Sequence, residues 1–95
     1  MHPSALWGLA ALLAEPLPQN SCIEAWTEAR YRAYGYDHVV HIQNGCAYDA
    51  LCVVSTNVRP EPQEIDVDSG QHVEVLTFKA SPWRTFTAKV TCTEI

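Results

Sequence analysis

From Thr85 onward the chain alternates strictly. Phe86, Ala88, Val90 and Cys92 are apolar, and Thr85, Thr87, Lys89 and Thr91 between them are polar. Successive side chains of a strand point to opposite faces, so this period of two predicts a strand with one buried and one wet face. The threonines and valine favour extended backbone as well. The segment Glu64–Phe78 reads as a hairpin: a three-residue loop of Asp68, Ser69 and Gly70 sets Ile65 opposite Val73 and puts the apolar residues on one face. Gly70 is placed to take the left-handed conformation such loops need. In "DHVVHIQNGCAYDALC", Asp37 to Cys52, the register that sets Cys46 opposite Cys52 also sets Asn44 against Val54, Ile42 against Thr56 and Val40 against Val58. The expectation is a second hairpin with a covalent clasp, its apolar residues and both cysteines on one side.

Cys22 to Gly35 is readable in two ways. Ser21 with Glu24 matches a helix capping box, which allows a short helix near the N-terminus. Ile23, Ala25, Ala29, Tyr31 and Ala33 nevertheless alternate with Glu24, Glu28, Arg30 and Arg32, and strand is the better reading beside partners that are all strands. Val58–Gln63 carries two prolines, so it is a connection between sheets or along an edge, and Lys79–Arg84 is a turn. Short strands separated by turns predict an all-β fold: a small disulfide-stapled β-sandwich, Ig-like or Greek-key, or an open barrel.

The start of the chain is different. Ala5 to Ala14 is a short apolar run ending in small residues, too short to span a bilayer and suited to the core of an export signal. His2 is the only candidate charge before it. Residues 1–14 therefore read as a signal remnant, 15–21 as a Pro-containing linker, and 22–95 as a single domain. Four cysteines, Cys22, Cys46, Cys52 and Cys92, make an even set with no C-x-x-C spacing, which predicts two disulfides in an oxidising compartment, secreted or in the cell envelope. The register above favours Cys46–Cys52 with Cys22–Cys92, and the other two pairings stay open. A core this small gives only a few kcal/mol by itself, so the bridges must assist it.

Composition narrows the function. A net charge of -5 argues against nucleic acid and anionic lipid as partners. His38 and His41 are three apart, an odd spacing that sends them to opposite faces of a strand. His38 shares parity with Val40 and Ile42 and should be partly buried and hydrogen-bonded, while His41 should face solvent. No cysteine–histidine–methionine set for a blue-copper centre is present, and Asp66–Gly70 lacks the ligands of a calcium loop. No G-x-S-x-G elbow and no spare thiol support nucleophilic catalysis. The acids at Glu61, Glu64, Asp66 and Asp68 read as a solvated face. The expectation is no catalytic residue, no metal and no cofactor. Tyr34 and Tyr36 are expected to fill the core. Trp83, Arg84 and Tyr48 form the candidate binding surface, with Trp83 after Pro82 the foremost contact.

The motifs "YGYDHVVHIQNGC", "LCVVSTNVRPEPQEIDVDSG", "VEVLTFKASP" and "FTAKVTC" together resemble a set of uncharacterised small secreted bacterial proteins with a V-x-N-x-C, then C-x-V-x-T-x-V-x-P, a glycine turn, a Ser-Pro turn and a terminal cysteine. The resemblance covers Tyr34 to Cys92. It implies export, disulfides and a β-sandwich, and brings no activity or catalytic residues. Ala80 stands where that pattern has a glycine before Ser-Pro. The function expected is a non-catalytic, monomeric secreted or cell-envelope protein with a structural or interaction role, its partner a protein or a glycan. The alternatives are a periplasmic metal-binding protein using His38, His41 or His72, and a small secreted hydrolase or enzyme inhibitor.

Overall fold

The structure, a computed structural model, describes residues 22–95; the expected signal remnant and the linker lie outside the described residues. Six strands follow in order: β1 (Ile23–Arg32), β2 (Gly35–Asn44), β3 (Ala50–Thr56), β4 (Gln63–Val67), β5 (His72–Ser81) and β6 (Ala88–Glu94). They form two separate three-stranded sheets, ordered β1-β2-β5 and β4-β3-β6, and every neighbouring pair is antiparallel. The chain is therefore an all-β sandwich. Cys22 to Gly35 is strand and turn, not helix: β1 pairs with β2 along its whole length, from Ile23↔Asn44 to Arg32↔Gly35.

The core lies where the two sheets face each other. Val40, Ile42, Val75 and Ile23 point inward from one sheet, and Val54, Val67, Val90, Cys52 and Cys92 from the other. Val40, Ile42, Val54 and Val67 are completely shielded, and each such side chain contributes about 1.5–3 kcal/mol of burial free energy. The alternation read from Phe86 onward is realised in β6, where Val90 and Cys92 are buried and Lys89 and Thr91 exposed.

Both expected hairpins are corrected. β2 and β3 lie in different sheets, and so do β4 and β5. Ile65 pairs with Cys52, not with Val73, and Val73 pairs with Ile42. The chain leaves β2, makes a two-strand excursion through β3 and β4 in the opposite sheet, and returns in β5 beside β2. Segment 57–62, with its two prolines, joins β3 to edge strand β4 within one sheet. Gly70 does take the left-handed conformation, at φ 82°, in a turn closed by Gln71 N–H donating to the Asp68 carbonyl at 2.9 Å. That turn carries the chain from one sheet to the other instead of folding it back on itself.

The disulfide pairing is corrected with the hairpins. The bridges are Cys22–Cys46 and Cys52–Cys92. Cys52 and Cys92 are direct register partners on β3 and β6, with Cα atoms 4.0 Å apart. Cys22 and Cys46 meet at the end of the β1–β2 ladder, where Gly45 N–H donates to the Cys22 carbonyl at 2.8 Å. All four cysteines are used, which fits an oxidising compartment.

One corner is irregular. The β2–β5 register shifts on either side of His38, and Ala80 sits in the left-handed region at φ 58°. The Asp37 carboxylate fastens the irregularity: Oδ1 accepts the Ala80 N–H at 3.0 Å and Oδ2 accepts from Arg32 Nε at 3.2 Å. The Ala80 amide first, and Arg32 with it, hold the Asp37 carboxyl below the usual carboxylate range. Opposite lies Gly35, at φ 141°, where a Cβ would come within 2.9 Å of the Ser81 carbonyl oxygen; this position requires glycine. Alanine is disfavoured at φ 58°, so Ala80→Gly should stabilise the domain by roughly 0.5–1 kcal/mol after the added chain entropy of glycine. A urea midpoint that rises at unchanged slope is the expected readout, and a lower midpoint would contradict the strain.

Candidate functional site: a tryptophan groove and an outer-face histidine cluster

Trp83 is presented by its own main chain. Ser81 ends β5 fully buried, and its Oγ accepts the Trp83 N–H at 3.0 Å. On the other side the Trp83 carbonyl accepts from His38 Nε2 at 2.7 Å. A carbonyl only accepts, so His38 carries its proton on Nε2, and Nδ1 is left as a buried lone pair with no partner. The expectation of a buried, hydrogen-bonded His38 holds: the ring is fully shielded and lies flat on Phe86 at 4.0 Å, 10° from parallel. With both peptide groups fixed, the Trp83 indole stays 58% exposed.

That indole lines a recess of about 470 Å³ with Asn57, Val58 and Thr85. Asn57 is shared with a second recess of about 270 Å³, which Ser55, Thr87 and Lys89 also line. A third, of about 370 Å³, shares Ser55, Pro60 and Lys89 with the second and reaches Val53, Pro62 and Thr91. The second and third lie over β3, β6 and the 57–62 connection, and the first adjoins them at Asn57, at the end of β3. Hydroxyl and amide groups are interspersed in the lining with Val53, Val58, Ala88, two prolines, the Trp83 ring and one cation.

The other two residues of the expected binding surface do not join Trp83 as a patch. Arg84 is exposed beside it but is outside the recess lining. Tyr48 is half-buried against the core at the opposite end of β3, with its hydroxyl 3.9 Å from Cys22 Sγ. Nor do both expected tyrosines fill the core: Tyr34 is 60% exposed in the β1–β2 turn, and Tyr36 is half-buried against Tyr31.

A second cluster occupies the outer face of the β1-β2-β5 sheet. His41 is the register partner of Trp26 on one side and of Glu74 on the other. It lies on the outer face, as its parity required, yet it is only 7% exposed. Trp26 stacks over it at 5.1 Å, 4° from parallel. His41 Nε2 donates to Glu28 Oε1 at 2.8 Å, and Nδ1 stands 3.0 Å from His72 Nε2. Arg30 grips Glu28 through Nη2 and Nε at 2.8 and 3.0 Å and reaches Glu74 at 3.3 Å. The hydrogen bonds from Arg30, and then from His41, lower the Glu28 carboxyl to about 2, and Glu28 in turn raises the Arg30 guanidinium. Glu28 is therefore a carboxylate to which His41 Nε2 donates, while His41 Nδ1 and His72 Nε2 share one hydrogen bond. His38 faces the core and takes no part.

The Trp83 recess follows from a signal the sequence carried, an aromatic residue after proline in a turn. The histidine cluster has no such signal, because His72 reaches His41 only once β5 lies beside β2 in place of β4. Among the described residues no helix is long and apolar enough to cross a membrane. Comparison of the chain with protein-family models, with curated proteins and with solved structures finds no match.

Proposed function

We propose that this protein is an exported, non-catalytic β-sandwich module that binds a glycan chain along the groove headed by Trp83. The observation that carries the reading is the fixed presentation of the indole: Ser81 and His38 hold the Trp83 peptide groups while the ring stays exposed over a recess. An aromatic face held out on a fixed main chain offers the C–H side of a sugar ring a stacking surface. The neighbouring Asn57, Thr85, Thr87 and Ser55 supply donors and acceptors for hydroxyl groups. The net charge of -5 favours a neutral saccharide over a polyanion. Two disulfides suit a small domain working in an oxidising medium outside the cytoplasm.

A glycan array probed with the wild-type protein and with Trp83→Ala tests this. Binding of an extended neutral glycan should weaken at least tenfold in the variant, a loss of about 1.4 kcal/mol, while the exposed position leaves the fold intact. No glycan bound, or equal binding by the variant, would remove the proposal; retention of a protein ligand through Trp83 would move it to a protein partner.

A further inference from the structure

We infer that the outer face of the β1-β2-β5 sheet holds a tetragonal site for a divalent late transition metal, Cu²⁺ above all, with His41 Nδ1 and His72 Nε2 as nitrogen ligands and the Glu74 carboxylate as an oxygen ligand. This site lies on the sheet opposite the Trp83 groove lining and stands independently of the glycan reading.

Two ring nitrogens face each other at 3.0 Å. A turn of each ring away from that hydrogen bond lets both nitrogens take one ion at about 2.0–2.1 Å, and Cu²⁺ stands highest among the divalent metals in affinity for such a nitrogen–oxygen set. The Glu28 carboxylate already takes the far nitrogen of His41, Nε2, at 2.8 Å, and Nδ1 is turned toward His72. A carboxylate on the far ring nitrogen is also the arrangement that orients metal-bound histidines. The one proton in the hydrogen bond between the rings leaves both facing nitrogens before they bind an ion, passing to His72 Nδ1 or to solvent.

No three His, Cys, Asp or Glu side chains among the described residues are already assembled around one ion position. Glu74 is the ligand that closes the site. Its side chain is 50% exposed, and its Oε2 is 4.0 Å from His41 Nδ1, so rotation about the side chain brings it onto the ion. Leaving Arg30 at 3.3 Å does not strand that cation, which keeps both of its contacts to Glu28. Glu28, Glu74 and Arg30 together leave one negative charge facing the ion. Trp26, 5.1 Å from His41 and 5.4 Å from His72, covers one flank, and water completes the coordination.

Copper titration followed by electron paramagnetic resonance, with the disulfides intact, tests the site. The wild type should bind one Cu²⁺ per chain with a tetragonal spectrum and hyperfine splitting from two nitrogens. His72→Ala, at an exposed position, should bind at least tenfold more weakly and lose one nitrogen; Glu74→Gln should bind more weakly with both nitrogens retained. Zn²⁺ should bind at least tenfold more weakly than Cu²⁺. His2→Ala controls for chelation by the chain's start and should leave the spectrum and affinity unchanged. Absence of copper binding, binding unaltered in His72→Ala, or binding lost in His2→Ala would overturn the assignment.

Discussion

Replacing Cys52 and Cys92 together by alanine should destabilise the domain by about 4 kcal/mol. The bridge closes a sequence separation of 40 residues, and the loop-entropy model assigns a crosslink of that span about that much. Both sulfurs are also in the core, at 0% and 6% exposure, so truncation adds a packing loss to the entropic one. Cys22–Cys46, with a separation of 24, should cost about 3.5 kcal/mol by the same relation. Domains of this size hold only about 5–10 kcal/mol in total, so the Cys52/Cys92 variant should sit near the edge of folding at 37 °C. Urea unfolding of the two double variants at 15 °C measures both losses. The order of the two midpoints is the sharper outcome: a Cys22/Cys46 variant less stable than the Cys52/Cys92 variant would contradict the account.

Asn44→Ala should cost about 3–5 kcal/mol, as much as a large core truncation, although it removes only one small polar side chain. Asn44 is fully buried and engaged by every polar group it has. Its main chain receives the Gly70 N–H at 2.7 Å and donates to the Gln71 carbonyl at 2.9 Å. Its side-chain Nδ2 donates to the carbonyls of Tyr48 at 2.9 Å and Val67 at 3.0 Å, and Oδ1 accepts the Cys46 N–H at 2.8 Å. One residue thus ties the end of β2 to both segments that cross between the sheets. Alanine leaves a buried amide and two carbonyls without those partners, and each unsatisfied buried group costs about 1–3 kcal/mol. Asn44→Asp separates this from simple loss of volume: it keeps an acceptor for Cys46 but loses both donors, and it should be destabilised as well. Wild-type stability in Asn44→Asp would show that the network is not what holds the corner.

The sequence was informative about faces and poor about neighbours, for one physical reason. A period of two tells which side chains point inward. Val40, Ile42, Val54, Val90 and both core cysteines were placed on the buried side by that rule, and all are buried. In a sandwich, however, strands that pair within a sheet and strands that face each other across the core satisfy the same inward parity. Ile65 and Val73 lie in opposite sheets, and so do Ile42 and Thr56; parity alone set each pair side by side. The disulfide pairing went the same way, since Cys46 and Cys52 both point inward but belong to different bridges. The crossings are set by Asn44, whose bonds to Val67, Gly70 and Gln71 are long-range and have no local signature. Site residues divided along the same line. Trp83 was readable from its turn, and His38 from its parity. The convergence of His41 with His72 depends on β5 lying beside β2, which is a fact of topology.

The two bridges have a mechanical consequence. Neither ties one sheet to the other: Cys22–Cys46 closes around β1 and β2, and Cys52–Cys92 joins β3 to β6. Under tension applied at the two ends of the domain, force travels through each sulfur pair and bypasses the chain it encloses. Between the bridges only the short run from Cys46 to Cys52 remains to bear load, at most about 20 Å of extended chain. With both bridges reduced, the 71 residues from Cys22 to Cys92 could stretch to roughly 240 Å. The oxidised domain is therefore a nearly inextensible link, one whose sheets can be pulled apart without its ends moving far from each other.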